Sequence, residues 1–116
     1  MNKYELFCLI FYTIDAKWEE TKNDGLREWL SDMNPYIWKD CTSADPATYA
    51  EYEKWIGKKN ITLENSYDIA KEYVYSLNDD YYNLEEIRKA FDWIIKESWE
   101  RMSNRYLSEP HKGDNL

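Results

Sequence analysis

Hydrophobic side chains recur at helical spacing through most of the chain, and short polar segments separate these stretches. Positions three and four residues apart share one face of an α-helix, so the pattern predicts helices rather than strands. The few glycines and prolines fall near the predicted ends, where they commonly terminate helices. About five helices are predicted, over residues 3–20, 24–33, 46–56, 63–78 and 84–107.

The first predicted helix is apolar on nearly every face. Tyr4, Phe7, Phe11, Ile14 and Trp18 form one stripe, and further apolar residues lie on the other faces. A helix of this kind is usually buried within a domain. We expect it at the centre, packed against the fifth helix. That last helix is supported by acid-before-base pairs four residues apart, such as Asp92–Lys96.

Aromatic residues replace much of the aliphatic core that a chain of this size normally has. The 116 residues include six Trp, eleven Tyr and three Phe but only one Val. Each aromatic side chain buries roughly 150–250 Å² and can fill that space. The sequence therefore predicts one all-α domain over residues 1–107, a compact bundle around an aromatic-rich core with little or no β-structure. Residues 108–116 are predicted to form a flexible tail.

The net charge of −8 and the pI of about 4.7 argue against direct binding to nucleic acid, which normally requires a basic surface. The longest apolar run, Leu6–Ile14, is less than half of the ~20 residues that a membrane-spanning helix needs. Neither a signal-peptide cleavage site nor a disulfide framework is visible. We therefore expect a cytoplasmic protein that does not bind membranes.

Catalytic motifs are absent from the sequence, as are phosphate-binding loops and metal-ligand spacings. The only histidine, His111, lies in the predicted tail, where we expect a solvated side chain. Asp15 lies beside the apolar stripe of the first helix, and we expect its carboxylate to accept a bond from a Tyr, Trp or backbone donor. The sequence thus predicts neither an enzyme, nor a cofactor, nor a metal site. A small hydrolase that uses carboxylates such as Asp15 is the weaker alternative.

An acidic stripe runs along the fourth predicted helix, opposite its apolar face. Glu64, Asp68, Glu72, Tyr75 and Asp79 fall within a sector of about 80° when each residue turns 100°. Like charges four residues apart destabilise an isolated helix by about 0.2–0.5 kcal/mol per pair. We interpret the stripe as part of a binding surface. The alternative interpretation is an ordinary solvated helix face that keeps the protein in solution.

Asp80, Tyr81 and Tyr82 extend this acidic surface beyond the predicted helix. Residues 63–83 carry five carboxylates against Lys71 alone, so their net charge of −4 is half of the chain's −8. The segment from Asp79 to Tyr82 resembles the patch of acids and paired tyrosines on the small helical immunity proteins of DNase colicins. The resemblance covers those four residues and the sign of the charge, and it implies a protein that blocks a nuclease.

Trp93 lies opposite the core stripe of the fifth predicted helix, among charged residues. A tryptophan in this position is either covered by another element or exposed to a partner. The loop formed by residues 36–38, which is apolar enough to pack against the core, or the third helix could cover it.

Together these patterns predict a small acidic protein-binding module. We expect an inhibitor or immunity-type protein that neutralises a basic, toxin- or nuclease-like partner. The alternative is a structural or assembly subunit without catalysis, in which the first helix and Trp93 serve a homodimer. The predicted partner-binding residues are Glu64, Asp68, Glu72, Tyr75, Asp79, Asp80, Tyr81, Tyr82 and Trp93.

Overall fold

The chain folds into six α-helices and contains no β-strand, so the prediction of an all-α fold is confirmed. A computed structural model describes all 116 residues. A short 3₁₀ turn (Asp24–Leu26) leads into the second helix. The helices are α1 (Lys3–Thr21), α2 (Arg27–Met33), α3 (Pro46–Ile56), α4 (Leu63–Ser76), α5 (Leu84–Asp92) and α6 (Lys96–Ser108).

Polar side chains fix the first turns of α3, α4 and α5. Asp45, Thr62 and Asn83 each accept a bond from a backbone N–H two or three residues further along, at 3.1, 3.1 and 3.2 Å. Each bond satisfies a donor that the first turn of a helix leaves without a partner. These three caps lie where the sequence predicted them, and α3 coincides with its predicted range.

Helix α1 lies at the centre of the fold and packs against α2, α4 and α5, most extensively against α5. All residues from Tyr4 to Phe11 are buried, as the apolar surround of this helix predicted. Cys8 is fully buried among them, and burial raises the pKa of its thiol to about 11. No helix combines the length and the apolar content that a membrane-spanning segment requires.

The core is built largely from aromatic rings in two groups. Phe7 contacts Tyr49 and Tyr52 at ring-centroid distances of 5.0 and 5.1 Å, and Tyr52 contacts Tyr73 at 5.1 Å. These separations lie within the favourable range for edge-to-face pairs. A second group between α4, α5 and α6 consists of Tyr67, Phe91 and Trp99, with centroids 5.9 to 6.1 Å apart.

The predicted fifth helix is interrupted between α5 and α6, so the prediction of one continuous helix is wrong at this point. Ile94 is buried there and its carbonyl accepts a bond of 3.2 Å from the Tyr67 hydroxyl. Ile95 is extended and begins α6. This bend brings the Trp99 indole within 2.9 Å of the Ser66 hydroxyl. Contacts with α4 therefore outweigh the local helical periodicity.

The C-terminal segment folds back against the start of α1. The His111 side chain is only 7% exposed, and its Nε2 lies 2.6 Å from a carboxylate oxygen of Glu5. Its Nδ1 lies 2.7 Å from the Glu109 carbonyl. Our expectation of a solvated His111 is therefore wrong. Local sequence could not reveal the contact, because 106 positions separate the two partners.

Two further contacts hold this segment in place. The Lys112 ammonium donates to the carbonyls of Pro35 and Trp38, each at 2.6 Å. Gly113 has a positive φ of 87°, and a Cβ at this position would lie 2.5 Å from the Tyr4 ring. Only glycine fits both the conformation and the close approach. The segment predicted to be a tail thus packs against α1 and the loop after α2.

We predict that the contact between His111 and Glu5 stabilises the fold in a pH-dependent way. Burial disfavours the charged imidazole, but the bonds to Glu109 and Glu5 outweigh burial and raise the pKa of His111. A raised pKa in the folded state adds stability that is fully present below about pH 6.5 and is lost as the pH rises through that pKa. Urea unfolding should therefore show the largest deficit for His111→Gln at mildly acidic pH, shrinking towards alkaline pH.

The control is an NMR titration of the wild-type imidazole, which is unambiguous because the chain has one histidine. A deficit that stays constant with pH would contradict the prediction. So would a titration midpoint at or below the ordinary histidine value of about 6.5.

Candidate partner-binding surface

The nine predicted site residues lie on three parts of the surface, and all except the half-buried Tyr82 are exposed. Four belong to α4, four to the loop between α4 and α5, and one follows α5. In that order they are Glu64, Asp68, Glu72 and Tyr75; Asp79, Asp80, Tyr81 and Tyr82; and Trp93.

The acidic stripe of α4 is shorter than predicted, because the helix ends at Ser76. Asp79 therefore lies in the following loop and not on the helix. The Arg88 guanidinium of α5 donates to the carbonyl of Leu77 at 3.0 Å and to that of Tyr75 at 3.4 Å. These bonds satisfy carbonyls at the end of α4 that a further helical turn would otherwise have bonded.

Tyr75 lies within a cluster of mixed charge rather than an acidic one. Its hydroxyl donates to the Asp92 carboxylate, which also pairs with the Lys71 ammonium at 3.8 Å. Lys71 and Arg88 lie 5.7 and 5.6 Å from the centre of the Tyr75 ring. The predicted pair of Asp92 with Lys96 does not form, because the break after α5 separates the two residues. This part of the stripe is thus neutralised locally.

Tyr81 and Tyr82 form a rigid pair in the loop between α4 and α5. Their rings pack edge to face with centroids 5.2 Å apart. The Tyr81 hydroxyl donates to the Glu28 carboxylate at 3.1 Å, and the Tyr82 hydroxyl donates to the Asp32 carboxylate at 2.6 Å. Both acceptors belong to α2, so the loop and α2 make one surface.

We call this surface the acid–tyrosine patch; it consists of Glu28, Asp32, Asp79, Asp80, Tyr81 and Tyr82. None of its four carboxylates forms an ion pair. Asp79 also accepts a bond of 3.0 Å from the Tyr81 backbone N–H, which fixes the turn. Unlike Asp92 in the cluster around Tyr75, these four carboxylates have no cation that offsets their negative charge.

The tyrosine hydroxyls of the patch stay protonated at neutral pH. The hydrogen bond to Glu28 and the charge of that carboxylate raise the pKa of Tyr81. Burial, followed by the hydrogen bond to Asp32, raises the pKa of Tyr82. Both hydroxyls therefore act as donors to the carboxylates and hold them in fixed positions.

Two carboxylates of this patch, Glu28 and Asp32, were not among the residues predicted from the sequence, and neither was Asp92 beside Tyr75. Glu28 and Asp32 are a like-charged pair four residues apart on α2, which is the same signal that marked α4. That signal could have identified α2 as a second acidic helix. Nothing in the local pattern places α2 beside the loop, because about 50 positions separate the bonded residues.

Trp93 has a neighbour in α1 rather than in the predicted loop or α3. Its indole N–H donates to the Thr13 carbonyl at 3.0 Å, and the side chain remains 44% exposed. The loop formed by residues 36–38 does not pack into the core as expected, because its three side chains are about half exposed. The Trp38 indole instead donates to the Ala44 carbonyl at 3.0 Å and closes the loop upon itself.

Asp15 is half-buried, but no side chain or backbone group donates to its carboxylate, contrary to our expectation. Burial, and then the charge of Glu19, raise its pKa. It lines a shallow depression with Trp18 and Arg27, on a part of the surface distinct from the acid–tyrosine patch. No group of three or more His, Cys, Asp and Glu side chains is arranged to hold a metal ion.

Comparisons with protein-family models, with curated proteins and with solved structures return no match for the chain. The function of this surface is therefore inferred from its own geometry.

We predict that the two tyrosine–carboxylate bonds of the patch differ in their contribution to stability. Tyr82→Phe should lower the free energy of unfolding by about 1–2 kcal/mol, because it removes a half-buried bond to a charged acceptor. Tyr81→Phe is the matched control, and it should leave stability nearly unchanged because solvent screens its bond. Urea unfolding measures both, and equal losses would contradict the prediction.

Proposed function

We propose that the chain is a small acidic protein-binding module, an inhibitor or immunity-type protein whose acid–tyrosine patch neutralises a basic partner. One observation carries the proposal. Both tyrosines of the patch, Tyr81 and Tyr82, donate their hydroxyls to carboxylates that form no ion pair. The proposal assigns a binding role and no catalytic step.

Such pairs suit the recognition of a basic surface. The hydroxyl bond fixes the carboxylate and the ring together, so little side-chain entropy remains to be lost when a partner binds. Tyrosine also supplies a large contact area with few rotatable bonds. The unpaired charges of Glu28, Asp32, Asp79 and Asp80 would steer a positively charged partner towards the rings.

Core tyrosines bond differently, which supports a separate role for the surface ones. The Tyr4 hydroxyl donates to the Pro35 carbonyl at 3.0 Å, and the Tyr52 hydroxyl donates to the Lys3 carbonyl at 2.5 Å. Both of these residues are fully buried, whereas Tyr81 is 64% exposed. An exposed ring beside uncompensated charge contributes little to the core and fits a contact with another protein.

We predict that partner binding depends on salt and on charge within the patch. A tagged chain first captures the partner from source cells, and the identified, purified partner is then titrated by calorimetry at low and high salt. Binding should weaken steeply with salt. Asp79→Lys/Asp80→Lys should weaken it at least about tenfold, because it replaces attraction with repulsion.

Two matched variants make this test specific. Glu20→Lys/Glu97→Lys changes the net charge equally on exposed residues outside the patch, and it should leave binding largely intact. Asp68→Lys/Glu72→Lys reports whether the α4 stripe takes part. Equal losses in all three variants, or binding indifferent to salt, would count against the patch as the site.

A second candidate function, a homodimer, is favoured by one observation. Tyr36, Ile37 and Trp38 are consecutive and are 49, 56 and 52% exposed. Contiguous exposed apolar side chains of this kind mark interaction sites in many soluble proteins. The loop could therefore join two copies of the chain in an assembly.

If this loop forms a dimer, sedimentation equilibrium at tens of micromolar should give twice the mass of 14.1 kDa. Ile37→Asp should return the chain to the monomer, because a carboxylate would be buried in the contact. Ile95→Asp is the control, because Ile95 is another exposed apolar residue (59%) and lies outside the loop. A wild-type chain that sediments as a monomer would exclude this second function.

A further inference from the structure

A groove of about 250 Å³ opens beside the acid–tyrosine patch, between α3, the C-terminal end of α4 and α2. It shares Asp79 and Tyr82 with the patch. Its walls combine aromatic rings with carboxylates and include neither lysine nor arginine. The rings belong to Trp29, Trp55, Tyr73 and Tyr82, and the carboxylates to Asp45, Glu51 and Asp79.

The carboxylates of the groove have no cationic partner within the chain. Asp45, Glu51 and Asp79 form no ion pair. Asp45 and Asp79 each accept one backbone N–H through Oδ1, from Ala47 and Tyr81, which leaves the second oxygen of each carboxylate free. Glu51 is exposed and accepts no bond at all. The groove therefore presents three carboxylates without an ion pair, and the cation nearest to its rings is Lys59, whose ammonium lies 5.5 Å from the centre of the Trp55 ring.

The aromatic walls are held rigidly. Trp29 is 1% exposed, and the rings of Trp55 and Tyr73 pack edge to face with centroids 5.4 Å apart. Glu51 and Tyr73 line the same groove, and burial, followed by the charge of Glu51, raises the pKa of Tyr73. On the other side, the bond to Asp32 fixes Tyr82. The walls therefore need little rearrangement to receive a ligand.

Rings and carboxylates together favour one kind of occupant. Aromatic faces attract cations, and the flat guanidinium of arginine both stacks on rings and binds carboxylates through two parallel bonds. Sites for small-molecule ligands usually measure about 300–1,000 Å³. At about 250 Å³ the groove is smaller than these sites and suits a single side chain.

We propose that this groove is the anchor pocket for one arginine side chain of the basic partner protein. The inference rests on the proposed function and deepens it, because it names the group that the partner inserts. Arginine is enriched among the few residues that dominate binding energy at interfaces, and such residues fill pockets ringed by less important contacts. Tyr81 and the carboxylates of the patch would form that ring.

Amide and indole NMR resonances of the labelled chain test the pocket directly. The probe is a tripeptide with one central arginine and both termini blocked, and its control carries citrulline, which is uncharged but similar in shape. The arginine peptide should shift the Trp55 indole and the backbone amides of Glu51 and Ser76 in a saturable way. The citrulline peptide should leave them in place.

Two variants and a matched control test whether the groove itself binds the arginine peptide. Glu51→Gln should weaken binding of the arginine peptide at least about tenfold. Ala47→Lys places a cation at the rim of the groove and should abolish the NMR shifts. Glu97→Gln removes an equal charge from an exposed residue of α6 outside the groove and outside the predicted surface, and it should bind the peptide as the wild type does. Circular dichroism verifies that each variant folds.

The possible results separate this inference from the proposed function. Shifts confined to Tyr81 and α2 would overturn the arginine pocket but leave the acid–tyrosine patch as a binding surface. Equal weakening by Glu51→Gln and Glu97→Gln, or no shifts at all, would also overturn the pocket. Saturable binding in the groove, together with partner binding that is weakened by Glu51→Gln but ignores Asp80→Lys, would support the pocket and contradict the proposed role of the patch.

Discussion

Hydrogen bonds from the polar tips of aromatic side chains tie distant parts of this fold together, although the buried Trp18 indole N–H and Tyr106 hydroxyl have no partner. A core rich in tyrosine and tryptophan buries O–H and N–H groups together with the rings, and such donors are costly to leave without acceptors. Two of these donors use carbonyls where helices end: Tyr4 uses the Pro35 carbonyl beyond α2, and Tyr67 uses the Ile94 carbonyl between α5 and α6. Tyr52 and Trp93 instead use carbonyls of α1, those of Lys3 and Thr13. The positions at which helices end and the packing of the core thus depend on each other.

Tyrosine side chains at the surface donate to a different kind of acceptor from those in the core. Tyr75, Tyr81 and Tyr82 donate to carboxylates. For the exposed Tyr75 and Tyr81 these bonds add little to stability, because water could solvate the carboxylates equally well. Each bond sets ring and charge in a fixed relative position, which would lower the entropy lost if a partner binds. Under the proposed function, the carboxylate acceptors of Tyr81 and Tyr82 distinguish them from core tyrosines, which donate to backbone carbonyls.

Features of the fold that depend on neighbouring residues could be predicted from the sequence, whereas features that depend on contacts between distant residues could not. The caps at Asp45 and Asn83 and the central position of α1 follow from spacing alone. The break near Ile94 could not be predicted, because the apolar stripe continues through it and the bond from Tyr67 comes from another helix. The Glu5–His111 contact and the α2 half of the acid–tyrosine patch were missed for the same reason. The acidic loop between α4 and α5 could be predicted because its charged residues are adjacent in the sequence.

Charge compensation narrows the candidate surface from nine residues to one end of the fold. Around Tyr75, Lys71 and Arg88 lie on the ring and Lys71 pairs with Asp92, so that region has mixed charge and resembles an ordinary solvated helix face. In the loop after α4, no cation pairs with the acids, and these acids lie beside α2, which is also acidic. Repulsion there opposes folding, and although hydrogen bonds from Tyr81 and Tyr82 reach three of these carboxylates, no ion pair within the chain offsets their charge. A basic partner that inserts a cation beside Asp79 would remove that repulsion, so the uncompensated end is where binding would release the most free energy.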